Sequence, residues 1–167
     1  MFTYPRTINE KSARVIGGVV AVTLVVALIT GAYWLAVPIA YGYWARMLAG
    51  PKLSPLGRLA TDVIAPRLGA AKPVSGPPKR FAQGMGAAFA TGGAVAWALG
   101  APAVAAVLLG MLVAAATLEA VFALCLGCKV FGLLMRAGAV PDDVCAECAD
   151  IWSRVPRPAV SESSTQA

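Results

Sequence analysis

Long apolar stretches alternate with shorter polar segments along this chain. Four of them stand out, at about residues 13–29, 32–48, 81–99 and 103–126. A helix needs roughly 20 apolar residues to cross a bilayer, so each stretch is long enough to span one. Short turns join the first to the second and the third to the fourth. The pattern predicts an all-α fold, an integral membrane four-helix bundle built from two helical hairpins.

The polar segments differ from one another in character. Residues 55–65 place apolar side chains on one helical face, which predicts a short amphipathic helix lying at the membrane interface. Residues 125–152 contain every cysteine of the chain and predict a helical cytoplasmic segment. Residues 155–167 are rich in serine and threonine and predict a disordered tail. We therefore expect a single membrane domain over residues 1–154, followed by that tail.

The composition supports the lipid bilayer as the surrounding solvent. The chain is 59% hydrophobic and 13% charged, with a mean hydropathy of +0.73. Soluble domains carry about 25% charged residues. The aromatic pairs at positions 33–34 and 43–44 are typical of the belts that mark the two membrane boundaries. The chain has no histidine, which excludes a histidine base, a histidine metal ligand and a Ser-His-Asp triad.

The basic residues predict the orientation of the spans. All 14 lysines and arginines lie before the first span, at or between the second and third, or after the fourth. The two opposite turns carry none, so the positive-inside rule places both termini in the cytoplasm of a multi-pass protein. The net charge of +6 is explained by this asymmetry. Since no basic patch is interleaved with aromatic residues, we expect no nucleic-acid partner.

The cysteines are the strongest chemical signal in the chain. They form two pairs, Cys125 with Cys128 and Cys145 with Cys148, in the pattern C-x2-C-x16-C-x2-C. This spacing suits a zinc site of four thiolates, and each pair also suits a redox dithiol. Both pairs are expected on the cytoplasmic side, where the reducing environment disfavours structural disulfides and favours metal-binding or catalytic cysteines.

Three interpretations of the cysteines stay open. In the first, Cys125 and Cys128 are a redox dithiol, and Cys145 and Cys148 act as the relay or resolving pair. In the second, all four thiolates bind one zinc ion and fold the C-terminal segment of a structural or scaffolding protein. In the third, Cys125 and Cys128 are small apolar residues that fill a helix interface, and their spacing is a coincidence.

Two polar residues inside the apolar stretches, Glu119 and Gln83, are candidates for function or for helix packing. Glu119 lies inside the fourth stretch, where an ionisable group is costly and indicates function. Alternatively, it joins helices through a hydrogen bond, with Gln83 or Thr117 as partner. Glu119 and Cys125 are six residues apart, about 120° around a continuous helix, so no contact between them is expected. A functional Glu119 would fit a small transporter of protons or ions.

Small residues are concentrated in the third stretch, and spacings of four, as between Ala88 and Gly92, let helix backbones approach closely. We interpret them first as packing positions within the bundle. A homo-oligomer formed through this stretch is the alternative use.

Two segments resemble a widespread bacterial family of small four-span membrane proteins classed as a domain of unknown function. They are residues 76–83, GPPKRFAQ, and residues 118–128, LEAVFALCLGC. The resemblance extends from about residue 11 to residue 134 and is most specific at Glu119 and the Cys125–Cys128 pair. It implies an inner-membrane protein. Some members are encoded near, or fused to, thioredoxin-like or sulfurtransferase domains, which implies a link to thiol or sulfur metabolism.

These observations predict a membrane-anchored thiol or sulfur-handling module that works with a soluble thioredoxin-like or sulfurtransferase partner. The structural zinc protein is the alternative, and the transporter using Glu119 is the second alternative. Zinc closure needs all four cysteines, whereas redox exchange needs one accessible pair. The sequence leaves open whether the protein is an enzyme.

Overall fold

The computed structural model describes residues 7–50, 53–69 and 72–139, and within them the chain is helical apart from one short two-stranded ribbon. The elements in chain order are β1 (Thr7–Asn9), α1 (Glu10–Thr30), a 3-10 turn (Tyr33–Leu35), α2 (Ala36–Ala49), α3 (Pro55–Arg58), a π-helical turn (Leu59–Ile64), α4 (Ala65–Arg67), β2 (Pro73–Ser75), α5 (Gly76–Ala98), α6 (Pro102–Phe122) and α7 (Leu126–Arg136). The all-α prediction is confirmed. The tail and the pair Cys145 and Cys148 lie outside the described residues.

Local sequence signals explain where the long helices begin and end. The Asn9 side chain caps α1 by accepting the Lys11 backbone N–H, at 3.1 Å. Gly31 ends α1 in the left-handed conformation, with φ of 73°. Two prolines stand in the first turn of α5, where the missing N–H groups would have no helical partner. α5 therefore begins at Gly76, ahead of the apolar stretch that was predicted from residue 81.

The helices pack in an order that differs from two simple hairpins. α1 packs mainly against α6, α2 against α5, and α5 against α6, whereas α1 and α2 touch little. Glycines allow the close approaches. A β-carbon on Gly17 of α1 would lie 3.1 Å from the Ala116 carbonyl oxygen, and one on Gly93 of α5 would lie 2.7 Å from Leu109. The predicted hairpin of the first two helices is therefore wrong as a packing unit, because their smallest faces fit later helices.

α1 and α6, among the described residues, are long and apolar enough to cross a membrane, and each has a mean hydropathy of 2.2. This finding is consistent with membrane association. α2 is a shorter helix of 14 residues. α5 begins with charged residues and is rich in glycine and alanine, which lowers its hydropathy.

The segment between α2 and α5 lies against one end of the bundle. Its helical turns run without a break from Pro55 to Arg67, so they continue past Pro66, where the sequence predicted an end. Ser54 caps the segment by accepting the Gly57 backbone N–H, at 3.2 Å. Ala60 is fully buried, and the π-helical turn packs against α1.

Basic residues from several of the described elements lie at this same end, which we call the basic end. There the start of α1, the end of α2, the start of α5 and the end of α6 meet. Arg80 donates to the Met47 carbonyl at 3.1 Å, and Lys11 donates to the Leu68 carbonyl at 2.7 Å. Strands β1 and β2 pair antiparallel, with Ile8 opposite Val74. The basic end therefore ties the N-terminus to the central segment.

Candidate functional site

The site forms where α6 ends and the chain changes direction. The helix stops at Phe122, and Ala123 takes a left-handed conformation with φ of 55°. The Leu124 N–H then bonds back to the Leu118 carbonyl at 3.1 Å, closing the terminal turn. Arg14 of α1 donates to two carbonyls of the last turn, each at 3.0 Å. The chain therefore leaves the axis of α6 before the cysteines, so the prediction of one helix through residue 126 is wrong.

Cys125 and Cys128 sit at the start of a new helix. Cys125 is the N-cap of α7, and its Sγ accepts the Cys128 backbone N–H at 3.4 Å. Both thiols are free and half-buried. A β-carbon on Gly127 would lie 2.5 Å from the Ala82 Cβ, so glycine here lets the cysteine turn pack directly on α5. The two residues between the cysteines, Leu126 and Gly127, therefore help to position the pair.

The two thiols have opposite electrostatic properties. A hydrogen bond from the Cys128 side chain lowers the pKa of Cys125, because it stabilises the Cys125 thiolate. The same contact raises the pKa of Cys128, and burial raises it further. Cys125 lies beyond the end of α6, at a helix N-terminus, where backbone N–H groups also favour an anion. Cys125 is therefore the more acidic thiol of the pair, and Cys128 is the less acidic one.

A buried ion pair lies beside the cysteines. Lys79, in the first turn of α5, is 6% exposed, and its ammonium bonds to the carboxylate of Glu119 in the last turn of α6. Neither Gln83 nor Thr117, the partners considered from the sequence, is the ion-pair partner of Glu119. The charge of Glu119 is therefore compensated within the protein, and the pair joins α5 to α6 next to the cysteine turn.

A second buried cation contacts α5 at Gln83, one helical turn after Lys79. Arg46 of α2 is 4% exposed, donates to the Gln83 side-chain oxygen at 2.9 Å, and donates to the Ser54 hydroxyl at 3.3 Å. Its guanidinium lies 4.7 Å from the centroid of the Tyr43 ring. Tyr43 is itself buried against Gly86. Its predicted place in an interfacial aromatic belt is therefore wrong, because the ring fills the space left by a glycine.

A cavity of about 260 Å³ lies beside the ion pair and the cysteine turn, between α2, α5, α6 and the start of α7. Glu119 and Cys125 both line it. The prediction that Glu119 and Cys125 make no direct contact assumed one continuous helix. α6 ends at Phe122, before Cys125, and both side chains line the same cavity. The other lining residues are mostly apolar and come from all four helices: Tyr43, Ala82, Gln83, Met85, Gly86, Phe89, Met111, Leu112, Ala115, Ala116, Leu126, Gly127 and Val130.

A known protein family accounts for most of the chain. The family model described as "Domain of unknown function (DUF4395)" matches residues 8–136. The chain belongs to this family. The DUF4395 match includes Cys125 and Cys128 and ends before Cys145 and Cys148. Comparison with curated proteins and with solved structures gives no significant match.

The DUF4395 structure brings together some predicted site residues and adds others. Cys125, Glu119 and Gln83 line one cavity, and Cys128 donates its backbone N–H to Cys125 beside it, whereas Cys145 and Cys148 lie outside the described residues. Among the residues that the structure describes, no group of three or more cysteine and acidic side chains is placed to hold a metal ion.

Sequence reasoning missed Lys79, Tyr43 and Gly127 as parts of the site. Lys79 was counted as a loop charge. Since α5 begins at Gly76, Lys79 lies in its first turn and shares a face with Gln83 and Gly86, which are four and seven residues further on.

Proposed function

We propose that this DUF4395 protein is a membrane-anchored thiol module that exchanges disulfides, or sulfur, with a soluble partner. The observation that carries the proposal is the placement of Cys125. Its sulfur caps a helix, accepts the Cys128 N–H and borders an open cavity. Helix N-termini are where reactive cysteines with lowered pKa are found in proteins.

The membrane setting of the proposal is a four-span bundle in the bacterial inner membrane, with both termini cytoplasmic. The outer faces of all four long helices support it, because they present large apolar side chains that have no partner in the bundle. Examples are Val22, Ile29, Val37, Tyr41, Leu99, Val107, Val121 and Phe122. Exposed apolar surface on this scale indicates contact with lipid. The basic end, with the cysteines, would face the cytoplasm.

In the proposed reaction, the Cys125 thiolate attacks one sulfur of a disulfide in a thioredoxin-like partner. A mixed disulfide forms, and the second partner sulfur leaves as a thiolate. The Cys128 thiol then loses its proton and attacks the Cys125 sulfur, which releases the fully reduced partner and leaves a Cys125–Cys128 disulfide. The second pair, Cys145 and Cys148, would return the first to its reduced state by the same exchange and would itself become a disulfide, which a cytoplasmic dithiol then reduces.

A sulfurtransferase partner would use the same nucleophile. Its persulfide would transfer the outer sulfur atom to the Cys125 thiolate, so that the partner leaves as a thiolate and Cys125 carries the persulfide. The shared requirement is a thiolate at Cys125 that a protein partner can reach from the cytoplasm.

The test is to trap the mixed disulfide in cells. With Cys128→Ser, the covalent complex cannot be resolved, and we expect a partner to remain bound through Cys125. Cys125→Ser is the matched control and should trap nothing. The complex is read on a non-reducing gel and identified by mass spectrometry. The same trapping pattern in both variants, or none in either, would contradict the proposal.

The structural zinc site remains the alternative, and it needs the second cysteine pair. The ratio of zinc to protein, measured on protein purified under reducing conditions without a metal-binding tag, separates the two functions. A ratio near one that is lost in Cys145→Ser would replace the thiol proposal. The transporter alternative rests on Glu119 and predicts that Glu119→Gln abolishes a proton- or ion-linked flux while the cysteines are dispensable.

A further inference from the structure

The cavity beside Cys125 opens toward the side of the bundle. Three residues form its rim: Met111 is 54% exposed, Leu126 is 38% exposed and Val130 is 39% exposed. All three are apolar. Met111 lies near the middle of α6, between Pro102 and Phe122. In a membrane-spanning bundle this opening faces the hydrocarbon, so an occupant enters from the lipid phase rather than from water.

The two ends of the cavity differ in chemistry. Its deeper wall is formed by Phe89, Met85 and Leu112, and these side chains offer dispersion contacts and an aromatic surface. At the basic end the lining changes to Glu119, Gln83 and Cys125. A fatty acyl chain has no group that uses this polar end, whereas a molecule with a flat ring and polar ring substituents uses both ends.

Gln83 restricts the kind of ligand group that the polar end of the cavity can bind. Its side-chain oxygen accepts from Arg46 at 2.9 Å, so the group that it offers to a ligand is the NH₂ donor. A donor of this kind pairs with a carbonyl oxygen. The Cys125–Cys128 dithiol next to it delivers two electrons when it closes to a disulfide. A lipid-soluble ligand with a ring, carbonyl oxygens and two-electron chemistry is a quinone.

We propose that this cavity binds the ring of a membrane quinone and that the Cys125–Cys128 dithiol reduces it. The inference rests on the proposed function, since it gives the same thiol pair a second electron acceptor, which takes the place of the partner disulfide. The two thiols lose two protons and two electrons and form one S–S bond. The quinone takes up both protons and both electrons, and its two carbonyl oxygens become the hydroxyls of a quinol. The soluble partner, in its dithiol form, then reduces the Cys125–Cys128 disulfide by the reverse of the exchange described above, and is itself left as a disulfide.

The test uses the full-length protein, reduced, in vesicles of phosphatidylcholine and phosphatidylglycerol without dioxygen, with decylubiquinone as the probe. Formation of the Cys125–Cys128 disulfide is followed by mass spectrometry, and quinol by its absorbance. Ala115→Phe fills the cavity from its wall, and we expect it to slow the reaction about tenfold or more, as small changes of pocket volume do. Ala114→Phe is the matched control, because Ala114 is exposed on the same helix and does not line the cavity.

Two further measurements keep the result unambiguous. Diamide, a water-soluble oxidant, should close the disulfide at the same rate in the wild-type protein and both variants, which shows that the thiols remain intact. Met111→Trp narrows the rim at an exposed position and should also slow the quinone reaction, without disturbing packing in the core.

Equal rates with decylubiquinone in Ala115→Phe and Ala114→Phe, or no oxidation of the wild-type protein, would overturn the quinone site. The proposed thiol function survives that outcome if Cys128→Ser still traps a protein partner. If no partner is trapped while decylubiquinone oxidises the pair, the quinone site stands and the soluble partner is wrong.

Discussion

Two buried cations contact α5 about one helical turn apart, and their partners differ. Lys79 belongs to α5 itself, whereas Arg46 of α2 reaches α5 at Gln83. Arg46 contacts neutral groups, namely the Gln83 oxygen, the Ser54 hydroxyl and the Tyr43 ring. Lys79 contacts the Glu119 carboxylate and lies close enough to the cysteines to affect their ionisation. Both cations connect α5 to a neighbouring helix, but Lys79 does so through a carboxylate and acts directly on the thiol pair.

This difference separates a structural role from a chemical one. A guanidinium held by neutral acceptors and an aromatic face keeps its charge at every accessible pH and fixes the distance between α2 and α5. The Lys79 ammonium, by contrast, acts on a group that can react, because its charge favours the Cys125 thiolate. The sharpest tests are therefore those that treat the two cations differently.

Removing the charge of Glu119 should have the largest effect on stability. Glu119→Gln leaves the buried Lys79 ammonium without its counter-charge, and breaking a buried pair costs about 3–5 kcal/mol. We expect a large fall in the thermal unfolding midpoint in detergent. The double variant Lys79→Met with Glu119→Leu removes both charges and should recover most of the loss. A double variant as unstable as Glu119→Gln would show that the pair does not act as a unit.

Removing Arg46 should destabilise the protein less and leave the thiols unaffected. Arg46→Met leaves Gln83 and Ser54 without their donor, and unsatisfied neutral groups cost about 1–3 kcal/mol. The same unfolding measurement gives the size of the effect. The rate at which Cys125 is alkylated should stay at the wild-type value. A changed alkylation rate would mean that the two cations are coupled through Gln83, contrary to the distinction drawn above.

The smallest effect concerns the ionisation of Cys125. Since the Cys128 side chain lowers the Cys125 pKa, the thiolate persists to a lower pH than an ordinary thiol. Cys128→Ala removes that hydrogen bond, so the pKa rises and alkylation by iodoacetamide at neutral pH falls by about tenfold for each unit of rise.

A full pH profile of alkylation checks this prediction. Its midpoint should move upward in Cys128→Ala, while the rate at high pH, where the thiol is fully ionised in both proteins, should not change. Cys145→Ala with Cys148→Ala provides the matched background, because Cys125 is then the single cysteine in the variant. An unmoved midpoint would assign the reactivity of Cys125 to the helix N-terminus alone.

The sequence was sufficient for the helices but not for their arrangement. Hydropathy and the Pro77–Pro78 start signal locate the long helices to within a few residues. They do not show that α1 packs on α6, because that choice depends on the fit of Gly17 to the α6 backbone. The tight turn after Thr30 suggested that α1 packs on α2. A short connection brings two helix ends together but does not require the helices to pack along their length.

The site was predictable in its residue types and not in its geometry. The spacing of Cys125 and Cys128 gave the thiol pair directly. Their relation to Glu119 depends on a helix that ends at Phe122 through a left-handed alanine, which no propensity indicates, and on Arg14, from far earlier in the chain. Such long-range caps are tertiary contacts and leave no local signal.

The packing of α1 against α6 has a consequence for how the protein is made. About 70 residues separate the end of α1 from the start of α6, so α1 leaves the ribosome long before its partner has been synthesised. During that interval the groove around Gly17 has no helix to fill it, so the surroundings of the growing chain must cover it. Assembly of the bundle therefore waits for the segment that also carries the cysteines, and a chain cut short before α6 would leave its first helix unpaired.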